Sequence, residues 1–114
     1  MPLYSVSVLF ALDVQAPDAP APLLELAIHV LSAADEAEAR AEAARLARAR
    51  ETTYRNRAGE VVSDRFRGVV EVQPLLADRL ADGMEVASWM FAAGKTLVLG
   101  ESGFAAAPAS SPGP

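Results

Sequence analysis

Residues 35–50 read Asp-Glu-Ala-Glu-Ala-Arg-Ala-Glu-Ala-Ala-Arg-Leu-Ala-Arg-Ala-Arg, sixteen positions without a glycine, a proline or a β-branched side chain. Alanine and straight-chain residues lose little freedom in a helix, so this stretch predicts one. Asp35 followed by Glu38 has the spacing of a capping box, and Ser32 is an alternative cap one turn earlier. Acids crowd the first turns and arginines the last, which complements the helix dipole. The inner stripe is expected to be Ala39, Ala43, Leu46 and Ala47, side chains small enough to let the helix sit close to a sheet.

The segments around this helix alternate with period two, as half-buried strands do. Tyr4, Val6, Val8, Phe10, Leu12 and Val14 form one parity, and Ser5, Ser7 and Asp13 belong to the other. Residues 15–22 hold three prolines and read as a loop. A second strand carries Leu24, Leu26, Ile28 and Val30 against Glu25 and His29. After the helix, Asn56-Arg57-Ala58-Gly59-Glu60 suits a three-residue hairpin loop with glycine left-handed, closing Asn56 against Glu60. That register puts Tyr54, Val62, Phe66, Val70 and Val72 on one face and Arg55, Arg65 and Arg67 on the other. Pro74 should end the long strand, residues 75–80 suggest one helical turn, and Asp82-Gly83 signals a turn.

Met84 to Phe91 is apolar on both parities and reads as another strand; Thr96 to Leu99 suggests a short last one. The expected fold is therefore α+β, a two-layer sandwich in the order β-β-α-β-β-β. A mainly antiparallel sheet of about five strands carries one long helix on one face. Residues 1–100 make a single domain, and 101–114 a tail rich in Gly, Ser, Ala and Pro, mobile or lying on the surface.

Composition excludes several functions. The 114 residues contain no cysteine, so disulfides, thiolate metal sites and a Cys nucleophile are absent. A single histidine, His29, sits mid-strand beside Glu25 without a serine elbow or a metal-ligand spacing near it. Gly94-Lys95-Thr96 has the end of a phosphate loop without its upstream glycines. No enzyme, no cofactor and no metal are expected. The opening residues lack the basic start of a secretion signal, and no apolar run is long enough for a membrane helix. A cytoplasmic protein without membrane contact is expected.

The net charge of −5 hides an asymmetry: residues 1–39 carry −6, residues 40–67 carry +4 and the remainder −3. The basic segment raises nucleic-acid binding through Arg55, Arg65 and Arg67, a reading opposed by the overall negative charge and by nearby acids. The sheet side away from the helix is the stronger candidate. It would present Leu9, Ala11, Ala27, Leu31 and Val69, with Trp89 and Phe91, a mixture of apolar, aromatic and arginine groups typical of protein interfaces. A C-terminal stretch folded over that side would remove the argument.

Four landmarks recur in a fixed order. They are Leu3-Tyr4-Ser5-Val6 leading to Phe10, Tyr54-Arg55-Asn56 with Gly59-Glu60, Phe66-Arg67-Gly68-Val69, and Asp82-Gly83-Met84-Glu85-Val86 with Ser88 and Phe91. Together, over residues 3 to 91, they resemble a family of small bacterial proteins of unknown function, DUF4288. The chain departs from that pattern at Leu3, where tryptophan is common, and at Arg65, where an aromatic is expected. The resemblance supports the element order, implies no activity and carries no catalytic residues. The expected role is a non-catalytic protein–protein interaction module with a protein partner or a second copy, an immunity-type or regulatory subunit among the options. Nucleic-acid binding through the arginine hairpin is the alternative.

Overall fold

The computed structural model describes residues 1–90, 92–94, 97–100 and 103–106. Strand β1 (Leu3–Gln15) lies at the centre of a four-stranded antiparallel sheet. Its neighbours are β2 (Leu23–Ser32) and β4 (Val61–Leu75), and β3 (Thr52–Arg55) pairs with β4, for an order β2-β1-β4-β3. Helix α1 (Glu36–Arg50) covers one face, and β5 (Leu97–Gly100) with β6 (Gly103–Ala106) forms a separate antiparallel pair.

The helix begins as its sequence dictates. The Glu38 amide donates to Asp35 Oδ1 at 2.8 Å, so Asp35 is the cap. Along its outer side Arg45 Nε donates to Glu42 at 2.9 Å. That hydrogen bond holds the Glu42 carboxyl below its ordinary range and raises the Arg45 guanidinium. The inner side is narrower than the sequence suggests. Ala39, Ala43 and Ala47 have no exposed surface, whereas Leu46 is 41% exposed. Three alanines four residues apart already form the whole seam, and a larger side chain has no room within it. They pack on Val6, Val8, Phe10 and Val72, with Phe10 and Phe66 meeting edge to face at 6.2 Å.

The hairpin closes as expected: the Asn56 amide donates to the Glu60 carbonyl, and Gly59 takes φ 79°. Beyond it, β4 departs from simple alternation. Against β1 the register steps from Phe10↔Phe66 to Leu9↔Gly68 and from Val8↔Val69 to Ser7↔Glu71, so Arg67 and Val70 are inserted residues. Two single insertions restore parity, which is why Phe66 and Val72 both face the helix. Between them Val69, rather than Val70, packs against the helix core. Gly68 lies between the two insertions at φ 156°, a backbone that L side chains rarely adopt.

Residues 84–90 form no strand, so the fifth strand of the principal sheet is not there; Phe91 lies outside the described residues. The described residues form six strands divided four and two, rather than about five in one sheet. Residues 76–79 bend without a helical turn, Asp82-Gly83 turns as expected, and β6 lies within the stretch assigned to the tail.

Instead of joining the sheet edge, residues 84–90 cross its far side. The Ser88 amide donates to Gln73 Oε1 at 3.1 Å and Trp89 Nε1 donates to Glu71 Oε2, while β6 packs against β4. Beneath them Leu3, Ser5, Ser7, Leu9 and Ala11 are at most 7% exposed. The far side is thus closed over the two central strands by the chain's own C-terminal part.

Candidate partner-binding edge

Closing the central strands leaves the two sheet edges, and they differ sharply. The β3 edge is four exposed residues, Thr52 to Arg55, short and polar enough to discourage pairing with another chain. The β2 edge is ten residues, Leu-Leu-Glu-Leu-Ala-Ile-His-Val-Leu-Ser. It contains no proline, lysine or arginine, and it pairs with β1 from Leu3↔Ser32 to Leu12↔Leu23 without a register shift. Proline, lysine and a bulge, three of the devices that blunt a sheet edge, are missing from β2, and Glu25 is its single charged carboxylate. Among the described strands and helix, β2 packs only on β1 and α1, so its outer row of backbone groups faces away from the sheet.

The register also decides which side chains β2 turns where. Glu25, Ala27, His29 and Leu31 stand opposite Phe10, Val8, Val6 and Tyr4 and share the helix face. Leu24, Leu26, Ile28 and Val30 stand opposite Ala11, Leu9, Ser7 and Ser5 and share the far face. The more apolar parity is therefore the one away from the helix. There Leu24 is 56% exposed and Ile28 is 41% exposed, both beyond the reach of the C-terminal cover.

At one end of β2 the strand runs into a groove. A 15-residue helix is about 22 Å long. A 13-residue strand reaches roughly 43 Å, so the sheet outruns the helix and leaves its upper end uncovered. The groove there, about 370 Å³, is lined by Phe10 and Leu12, by Leu23, Leu24 and Glu25 on the β2 side, and by Asp64. Arg50, the last helical residue, lies over the Phe10 ring at 4.0 Å. It forms an ion pair with Glu25 and stands 3.8 Å from Asp64. One guanidinium thus ties the helix to β1, β2 and β4 at once. No group of three or more metal-ligating side chains occurs among the described residues.

The residues singled out from the sequence fall in several places. Leu9 is 2% exposed and closed off beneath the far-side cover. Leu31, Ala27 and Val69 pack against the helix core, because the β1–β2 register and the bulge at Val70 turn them to that face. Trp89 is half-buried and anchored to Glu71. Arg55 donates to the Gly59 carbonyl at 2.7 Å and Arg65 to Thr53 Oγ1 at 3.0 Å, so both serve the hairpin itself. Arg67 is an inserted residue of β4. These residues are not brought together into one surface. The exposed Leu24 and Ile28 belong to one apolar parity of a strand without proline or lysine, a pattern visible in the sequence.

The family model described as Domain of unknown function (DUF4288) matches residues 3–88. No curated protein and no solved structure matches the chain. No described helix is long and apolar enough to cross a membrane.

Proposed function

Since the chain belongs to the DUF4288 family, described only as of unknown function, we propose its role from geometry: a non-catalytic interaction module whose β2 edge pairs with a strand of a protein partner. The observation that carries this reading is the long edge without proline, lysine or bulge, ten regular residues with exposed apolar side chains, in a sheet whose other edge is short and polar. Main-chain hydrogen bonds to β2 would give affinity. The alternating apolar contacts at Leu24 and Ile28 would give selectivity for a strand with apolar residues at every second position. The hairpin arginines support the nucleic-acid alternative less, since Arg55 and Arg65 already donate within the hairpin.

Amide hydrogen exchange of isotope-labelled chain tests the proposal, in source-cell extract and in purified chain at rising concentration. Residues 23–32 should gain protection in at least one of these while residues 52–55 stay unchanged. Equal exchange at both edges under both conditions would overturn it.

A further inference from the structure

Resting on the reading of β2 as a pairing edge, we infer that the strand it receives is β2 of a second copy, antiparallel, with Ala27 facing Ala27 across a two-fold axis. A two-fold that pairs a strand with its own copy stands perpendicular to the sheet, so both helices lie on one side. Opposite residues must then share a face, which limits the registers to those whose paired numbers have an even sum.

Among those registers, charge and overlap select one. With a sum of 54, Glu25 faces His29 of the second copy, and His29 faces its Glu25, a carboxylate acceptor opposite an imidazole on the helix face. On the far face Leu24 faces Val30 and Leu26 faces Ile28, so every apolar side chain of that row meets another. Leu23 faces Leu31 at the ends. A sum of 50 would set Glu25 against Glu25. Sums of 52 and 56 would place Glu25 opposite Ala27 or Leu31, which offer its carboxylate no side-chain donor across the seam. The favoured register is also centred on the strand, which runs from Leu23 to Ser32, so it forms nearly the longest ladder β2 allows. Ala27 at the axis is small and already packs beside the helix core, so the two helices are not forced apart there. Glu25 keeps its ion pair with Arg50 while facing His29, because a carboxylate accepts several hydrogen bonds. The result is a continuous eight-stranded sheet with β3 at each outer edge, where its shortness and polarity stop further addition.

The test uses the full chain. Light scattering should give a mass moving from 12.0 kDa to twice that value as concentration rises. Ile28→Lys sets two ammonium groups on a diagonal of the paired face and should weaken the dimer by about tenfold or more. Circular dichroism of this variant should match the wild type, since Ile28 is an exposed edge residue. Because the chain has no cysteine, register can be read directly. Ala27→Cys should cross-link to itself, and Leu26→Cys should cross-link to Ile28→Cys in a mixed sample far faster than either does alone. Exchanging the pair, Glu25→His with His29→Glu, should restore pairing that Glu25→His alone weakens.

A chain that stays monomeric at hundreds of micromolar overturns self-pairing. If β2 is nevertheless protected in extract, the pairing edge stands and its partner is another protein. A dimer that ignores Ile28→Lys, or cross-links in another register, also overturns the inference.

Discussion

Ala43→Leu probes how closely the helix rests on the sheet. Ala43 has no exposed surface and lies midway between Ala39 and Ala47, which are equally buried. Leucine adds three carbons into a seam bounded by Val6, Val8, Phe10 and Val72, so either the helix lifts or neighbouring side chains leave their preferred rotamers. Overpacking of this kind costs about 1–3 kcal/mol. Alanine and leucine are both strong helix formers, so propensity contributes little to the difference. For a domain of this size a urea slope of about 1.5 kcal/mol per molar converts 2 kcal/mol into a midpoint lowered by roughly 1.3 M. The matched control is Ala49→Leu on the exposed side, expected to change stability by no more than about 0.5 kcal/mol. Both melts are run at one protein concentration, because association would shift the midpoint. Equal midpoints for the two variants would refute the close alanine seam and, with it, the exposure of Leu46 as a packing consequence.

Three further substitutions probe the cap, the bulged strand and the buried hydroxyl. Asp35→Ala removes the acceptor for the Glu38 amide and should cost about 1 kcal/mol in a urea melt, whereas Ser32→Ala should cost much less. Gly68→Ala meets no atom within 4 Å, so its expected loss of about 1–2 kcal/mol comes from the φ of 156° alone; an unchanged midpoint would contradict that backbone. The buried Ser5 hydroxyl has no hydrogen-bond partner among the described residues, so Ser5→Ala should be neutral or stabilising, and a clear destabilisation would reveal a partner for it.

What the sequence disclosed divides along the range of the interactions involved. The Asp35 cap, the Asn56–Glu60 closure and the first three long elements depend on residues within one turn of each other, and all are legible. The face assignments within β4 needed the two insertions, and nothing local in Arg67-Gly68-Val69-Val70 marks which residues β1 will pass over; Gly68 is the only hint. Met84 to Met90 reads as a strand because both parities are apolar. The same pattern serves a segment pinned by Gln73 and Glu71, whose side chains replace a neighbouring strand's backbone. Leu31 faces the helix rather than the far side because the β1–β2 register is set by the seven-residue loop 16–22, rich in proline, which no turn rule resolves. The edge itself is legible as residues lacking proline and lysine. Its position as the outermost strand is a property of the whole sheet.

Self-pairing requires β2 to be an open edge that accepts β2 of a second copy. Amide exchange of the purified chain, compared between a few micromolar and several hundred, addresses that claim strand by strand. At low concentration alternate amides of residues 23–32 should exchange freely, and at high concentration the whole strand should be protected while residues 52–55 do not change. A β2 whose exchange is independent of concentration, or whose change is matched by β3, would contradict it.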